Sequence, residues 1–222
     1  MKASQNTLAW ILAVGSMVLT SPTSFAEEPG QVEVAKAVEA QKIKVLQTRA
    51  INNLRQIGLA LFEFENEYGS FPNEQTAVAI KDATGTSAKL GTATANDCFF
   101  QLIAAQILQT DRVFIFEAAA MNEAAKPKIP DQLAKCAYSY LIGMSAAGNP
   151  SRPVVVAPLL KGKTSFDPAV FGGKAIVLRV DNSVQALPIG EDGHVMIDGK
   201  DIFDPAQPFW NGKVPPIRWP KD

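Results

Sequence analysis

Residues 43–72, IKVLQTRAINNLRQIGLALFEFENEYGSFP, decide the fold. Apolar or small residues recur every three or four positions along this stretch and just before its end: Ile43, Leu46, Ala50, Leu54, Ile57, Leu61, Phe64 and Tyr68. Such spacing is typical of one helix face that is buried against a core. Residues 31–68 contain no proline, and Gly69 and Pro72 follow. The sequence therefore predicts a helical spine over residues 32–68.

The two halves of this helix differ in character. Ile51, Gly58 and Phe62 add a second stripe in the C-terminal half only. The N-terminal half instead carries charges: Glu33, Lys36, Glu39, Lys42 and Lys44. A helix of this length spans about 55 Å, which is too long for a small domain to bury. We therefore expect the early turns to project or to meet a partner, with Val34 and Val38 as interaction residues.

Helical and loop signals fill residues 69–137. We expect a loop over 73–96 with a short helical turn near 75–81, because the segment is polar and rich in small residues. Asp97 is placed to cap a second helix over 98–109. Residues 112–116 are short and apolar, which favours an extended segment. Residues 117–128 are alanine-rich and are interpreted as a helical turn or a surface loop.

Short runs of β-forming residues dominate from residue 138 to residue 203. The candidate strands are 138–142, 154–157, 175–180, 184–187 and 195–197. Asp181-Asn182-Ser183 and Glu191-Asp192-Gly193 are interpreted as turns between strands. The tail, 204–222, is rich in proline and is expected to be irregular. Because the helices precede the strands along the chain, the sequence predicts an α+β domain, in which a long N-terminal α-helix packs on a small antiparallel β-sheet.

The first 26 residues have the three parts of an export signal. Lys2 is basic, residues 8–19 are apolar, and Ser24-Phe25-Ala26 places small residues where a signal peptidase requires them. The alternative is an uncleaved anchor, but a membrane span needs about 20 apolar residues. We expect a signal peptide over 1–26, a pilin-like domain over 27–222 with no membrane span after cleavage, and a periplasmic, secreted or cell-surface location.

An exported chain with two cysteines favours a disulfide between Cys98 and Cys136. The bond would close a loop of about 38 residues and stabilise the fold by about 2–4 kcal/mol. The alternative is a pair of buried free thiols.

Composition and motifs give no sign of an enzyme. The net charge is −1, without the basic excess of a nucleic-acid-binding protein. No catalytic or cofactor-binding residue is expected, because no nucleophile elbow, phosphate-binding loop or H-E-x-x-H motif is present. His194 is the only histidine, and it lies in a predicted turn. A glycosidase needs only two carboxylates, but nothing in the sequence favours a particular pair.

Calcium is the only metal for which the sequence offers ligands. Oxygen-rich turns bind calcium, and four late aspartates are candidates: Asp192, Asp198, Asp201 and Asp204. Their spacing differs from that of an EF-hand loop. The alternative is that they are ordinary turn acids, with Gly193 and Gly199 supplying unusual φ angles.

Two stretches resemble pilin-like proteins related to the major pseudopilins of type II secretion. Residues 49–61, RAINNLRQIGLAL, followed by YGSFP at 68–72, are similar to the end of the long helix in that group. Residues 172–184, GGKAIVLRVDNSV, are similar to its late hairpin. The resemblance implies a helical spine whose C-terminal half packs on an antiparallel sheet, and assembly through its N-terminal half. The glycine before a long apolar segment and the glutamate at its fifth position, which pilin precursors carry, are not found here. A pilin-like protein that kept the body and lost the apolar anchor is therefore expected.

These observations favour an exported, non-enzymatic structural or protein-interaction protein, as part of a secretion or pilus-like assembly. Its protein partners, or further copies of itself, would bind the early N-terminal helix. The alternative is a cell-surface module that binds a carbohydrate or another ligand. Its aromatic platform would be drawn from Tyr140, Phe209, Trp210 and Trp219.

We expect residues 1–26 to be absent from the exported protein. Intact-mass analysis of protein from the envelope fraction measures this directly. A mass that retains Trp10 would contradict cleavage and indicate an uncleaved anchor.

Overall fold

The structure, a computed structural model, describes residues 29–116 and 132–221. The predicted signal, 1–26, and the alanine-rich segment, 117–128, lie outside the described residues. Three α-helices and one short 3-10 helix come first: α1 (Pro29–Tyr68), α2 (Glu74–Thr84), α3 (Ala95–Ala104) and the 3-10 helix (Arg112–Phe114). Seven strands follow: β1 (Ser139–Leu141), β2 (Pro153–Ala157), β3 (Lys174–Arg179), β4 (Val184–Pro188), β5 (Met196–Ile197), β6 (Lys200–Asp201) and β7 (Ile217–Arg218). The α+β class and the long N-terminal helix are confirmed.

Helix α1 is buried along the stripe that its sequence predicts. The most deeply buried positions are Ala50, Leu54, Ile57, Leu61 and Phe64. The helix ends because Gly69 takes a φ of +81°, a left-handed conformation that glycine adopts without strain. The Gly69 N–H donates to the carbonyl of Glu65 at 2.7 Å and closes the last turn.

The main sheet has five strands in the order β4-β3-β2-β1-β7, and every neighbouring pair is antiparallel. β5 and β6 form a separate two-stranded hairpin. The tail was predicted to be irregular, and this was wrong at β7, which pairs with β1 through Ile217 opposite Leu141. A two-residue strand has no periodicity of its own, so only its partner could reveal it.

The β3–β4 hairpin packs beside α1 and meets it at both ends. At one end, Gly172 has a φ of +58°, and a β-carbon there would lie 3.1 Å from Cγ2 of Ile43. The Gln47 amide donates to the Phe171 carbonyl at 2.8 Å beside this point. At the other end, Asn182 in the predicted hairpin turn reaches Gly58, where a β-carbon would collide with its side-chain oxygen. Glycine at position 58 is therefore what allows the hairpin turn to lie against the helix.

Helices α2 and α3 correct the sequence-based boundaries. α2 is an eleven-residue helix rather than a short turn, with Asn73 as its N-cap. α3 starts three residues earlier than predicted, because Thr94 rather than Asp97 is its N-cap. Asp97 instead accepts from the Thr94 N–H at 3.0 Å, which completes a capping box. The predicted extended segment at 112–116 begins with a turn of 3-10 helix.

The central strand β2 is buried at all five positions, so the sheet is covered on both faces. Helices supply one cover: Tyr140 of β1 packs against Phe99 of α3 with ring centroids 5.4 Å apart. The Tyr140 hydroxyl donates to the Pro72 carbonyl at 3.0 Å, which ties the sheet to the turn after α1. The segment after β6 also contributes buried side chains to the core: Ile202, Phe203, Phe209 and Trp210.

Gly58→Ala should destabilise the protein only while Asn182 is present. Alanine favours helix over glycine by about 1 kcal/mol, but its β-carbon would displace the buried Asn182 oxygen, which has no hydrogen-bond partner in the structure. Asn182→Gly removes that atom and suits the local φ of +64°. We expect the double variant to be more stable, in free energy of unfolding, than the added effects of the two single variants by about 1 kcal/mol. Denaturant unfolding of all four proteins measures this coupling, and strict additivity would contradict the close approach.

Candidate interaction surface

The early turns of α1 from residue 32 onward are exposed. Every residue from 32 to 42, which we call the exposed segment, is open to solvent, and burial begins at Ile43. Val34 is 64% exposed and Val38 is 50% exposed. The prediction that the early helix would not be buried within the body is therefore confirmed. Val34 and Val38 present apolar surface there without any covering group among the described residues.

The apolar surface continues along α1 on the side that faces away from the sheet. Nine residues make about two and a half helical turns, so a residue lies opposite the one nine positions away. Val45 is thus opposite the buried Leu54, and Leu59 is opposite the buried Ala50. We call the line through Val34, Val38, Val45 and Leu59 the outer face; all four side chains are exposed. Sequence analysis missed Val45 and Leu59 because it followed only the stripes expected to be buried.

A shallow depression of about 460 Å³ lies along the outer face. The described part of its lining comes from one side of α1 and includes Gln41, Lys44, Val45, Arg49 and Asn52. The described lining contains two basic residues and no acidic residue. This surface suits a partner with an apolar stripe flanked by negative charge.

Polar contacts on the sides of α1 fix which face points outward. Arg49 donates to the Phe116 carbonyl at 3.1 Å, and the Asn53 amide donates to the Ile115 carbonyl at 2.9 Å. Near the C-terminal end of the helix, the Glu65 carboxylate accepts the Ala146 N–H at 2.8 Å and 3.0 Å. The rotation of α1 about its axis is therefore set from several directions, and none of these contacts involves the outer face.

Cys98 and Cys136 are both free thiols in the structure, so the predicted disulfide is not present in it. Cys98 is buried inside α3, and the sulfur of Cys136 donates to the Tyr138 carbonyl at 3.3 Å. Burial raises the pKa of each thiol to about 12. Both thiols are therefore held in the protonated form at neutral pH. The disulfide stays a prediction, for which thiol labelling of the unfolded, unreduced protein is the test.

The late aspartates accept hydrogen bonds from backbone N–H groups within their own turns. Asp192 accepts the His194 N–H at 3.0 Å, and Asp204 accepts the Ala206 N–H at 2.8 Å. Asp198 has a φ of +50° and forms the β5–β6 turn with Gly199. In the part of the chain that the structure describes, no three His, Cys, Asp or Glu side chains are grouped so as to hold a metal ion. The four predicted calcium ligands are therefore not brought together.

His194 has a carboxylate partner that the sequence did not predict. Its Nδ1 lies 2.7 Å from Oδ2 of Asp201, and the other oxygen of Asp201 accepts the Phe203 N–H at 2.6 Å. The pair joins the turn before β5 to the strand β6. Catalysis would also need a nucleophile bonded to the imidazole, and no such bond is found among the described residues. The pair is best explained as a link that holds the small hairpin.

The aromatic residues of the alternative ligand-binding hypothesis do not form an exposed platform. Tyr140, Phe209 and Trp210 are buried in the core. The Trp210 indole donates to the Ile202 carbonyl at 2.7 Å, as a buried indole requires. Trp219 is partly exposed, and its indole donates to the Lys163 carbonyl at 3.2 Å. A single partly exposed ring is a weak basis for carbohydrate stacking.

Comparison with protein-family models, curated proteins and solved structures finds no match to this chain. Within residues 29–116 and 132–221, no helix combines the length and the apolar character that crossing a membrane requires.

Proposed function

We propose that the protein is an exported, non-enzymatic structural component with a pilin-like body, and that it acts by binding other proteins through α1. The observation that carries this proposal is the exposed segment, in which eleven consecutive helical residues remain open to solvent. Isolated helices of that length are marginally stable in water. A helix that extends beyond the folded body is therefore stabilised when a partner covers it.

The chemistry of the exposed segment supports protein binding rather than catalysis. Val34 and Val38 lie one turn apart on the outer face, with the charged residues Glu33, Lys36 and Glu39 around them. Apolar side chains at this spacing are the anchors of helix-mediated recognition. The export signal and the pilin-like resemblance favour an envelope assembly, secretory or pilus-like, as the setting.

Site-specific photo-crosslinking in the producing cell tests the proposal. A photoreactive residue at position 34 or 38 should give a discrete protein adduct, because these side chains lie on the binding surface. The matched control is position 78 in α2, where Val78 is 59% exposed and lies outside α1. Adducts at position 78 but none at 34 or 38 would contradict the proposal.

Val34→Asp combined with Val38→Asp supplies a second readout. Both side chains are exposed, so the free energy of unfolding should change by no more than about 0.5 kcal/mol, as for ordinary surface substitutions. The amount of partner protein that is recovered together with this double variant should fall. A loss of stability similar to that of Leu61→Ala, for which about 2–5 kcal/mol is expected, would show that the exposed segment is part of the core.

A further inference from the structure

Strand β4 forms an open edge of the main sheet. It pairs with β3 on one side only. The Arg179 N–H donates to the Ser183 carbonyl at 2.9 Å, and because hydrogen bonds alternate along an antiparallel pair, the odd-numbered residues of β4 bond to β3. The N–H and C=O groups of Val184 and Ala186 therefore point away from the sheet. The described residues supply no hydrogen-bond partner for these four groups.

The opposite edge of the main sheet is covered. Its edge strand β7 is two residues long, and the Trp219 carbonyl beside it accepts the Ala95 N–H at 2.9 Å. The Arg218 side chain donates to the Thr92 carbonyl from the same strand. Proteins usually protect an edge strand in this way, or with charged side chains or proline. β4 contains no charged residue, and its one proline, Pro188, lies at its end.

The free backbone groups of β4 are complementary to those of a second β4. If two copies are placed antiparallel with Gln185 opposite Gln185, Val184 of each copy lies opposite Ala186 of the other. Each of these two pairs exchanges two hydrogen bonds, so the four bonds satisfy every outward N–H and C=O group of both residues. Setting Ala186 opposite Ala186 would instead place the Val184 carbonyl opposite Pro188, which has no N–H to donate. Pro188 therefore favours the register centred on Gln185.

The side chains of β4 are compatible with this register. Leu178 of β3 lies on the side of the sheet that faces α1, because a β-carbon on Gly58 would be 3.1 Å from its Cδ1. Val184 is paired with Leu178 and lies on that side, so Gln185 points to the opposite side, where it is exposed. Each Gln185 amide carries both a donor and an acceptor, so two of them across a twofold axis can bond to each other.

The position of α1 extends the contact beyond the strands. α1 contacts both β3 and β4, so its axis runs over this pair of strands. Two strand spacings separate the middle of the β3–β4 pair in one copy from its equivalent in the other, which sets the two α1 helices about 10 Å apart. Helices that pack against each other have a similar spacing. The outer face lies on the side of α1 away from the sheet and takes no part in this pairing.

We propose that the open edge of β4 binds a second copy of this chain, with the two β4 strands antiparallel about Gln185 and the two main sheets joined into one of ten strands. This interaction goes beyond the proposed function and does not rest on it, because it uses the edge of the sheet rather than the exposed segment. The twofold contact closes on itself, so it gives a dimer rather than a filament.

Light scattering after size-exclusion chromatography of the purified protein, over a range of concentrations, tests association. The unmodified protein should form a dimer. Gln185→Lys and Gln185→Glu should each raise its dissociation constant by about fivefold or more, because each sets like charges directly opposite each other. An equimolar mixture of the two variants should recover the dimer, since unlike charges then meet. Val78→Lys, at an exposed position of α2, is the control and should leave the dimer unchanged.

A protein that stays monomeric at every concentration, or a dimer indifferent to both changes at position 185, overturns the proposal. Circular dichroism of the dilute variants should match that of the unmodified protein, since Gln185 is exposed. A dimer that Val34→Asp abolishes while both changes at position 185 leave it intact would place association on the exposed segment. That result overturns the β4 pairing and leaves the proposed function standing.

Crosslinking through cysteine tests the register. Gln185→Cys should form a disulfide between two copies on mild oxidation, because directly opposite residues at such a site have α-carbons about 4.5 Å apart, within the range of a disulfide. Val78→Cys is the matched control and should give no crosslink. The native cysteines are a constant background that the unmodified protein measures. A dimer in which Gln185→Cys does not crosslink above this background contradicts the antiparallel pairing about Gln185.

Discussion

The contact between α1 and the β3–β4 hairpin is the constraint on which the rest of the structure depends. The hairpin meets the helix at Ile43 beside Gly172 and again at Gly58 beside Asn182. Fifteen residues of helix separate these points, or about 22 Å, and the six residues of β3 with its flanking turns cover a similar distance. Two fixed points on rigid elements set the axial position of the hairpin along the helix. The other strands then pair outward from β3, so this contact also places the remainder of the sheet.

The same contact divides α1 into two parts with different roles. C-terminal to Ile43 the helix is a core element, held by burial and by hydrogen bonds from its sides. Residues 32–42 are all open to solvent among the described residues, although they include valines that a purely solvated helix does not need. Exposed apolar residues aligned on one helix face are a known sign of an interaction surface. The division between a held half and an exposed half therefore connects the fold to the proposed function.

Sequence reasoning succeeded where signals are local and periodic. The buried stripe of α1, the hairpin turn at Asp181-Asn182-Ser183 and the exposure of Val34 and Val38 all follow from residue spacing. It failed where distant partners decide the outcome. β7 exists because Ile217 pairs with Leu141, 76 positions away, and its two residues carry no pattern. The late aspartates show the same limit, since which backbone N–H each carboxylate accepts depends on turn geometry rather than on composition. Leu59 was missed because exposure on the far side of a helix becomes visible only when the buried side has been placed.

Hydrogen exchange along α1 tests the central claim, that the helix is divided at Ile43 into an exposed N-terminal part and a C-terminal part that is packed against the body. In dilute purified protein, backbone amides of residues 32–42 should exchange quickly, because only the local helix protects them. Amides of residues 50–64 should exchange slowly, with protection close to that of global unfolding, because their opening requires the hairpin to separate from the helix. Equal protection in the two segments would contradict the account: the early helix would then be part of the core, and its valines would have no surface to offer a partner.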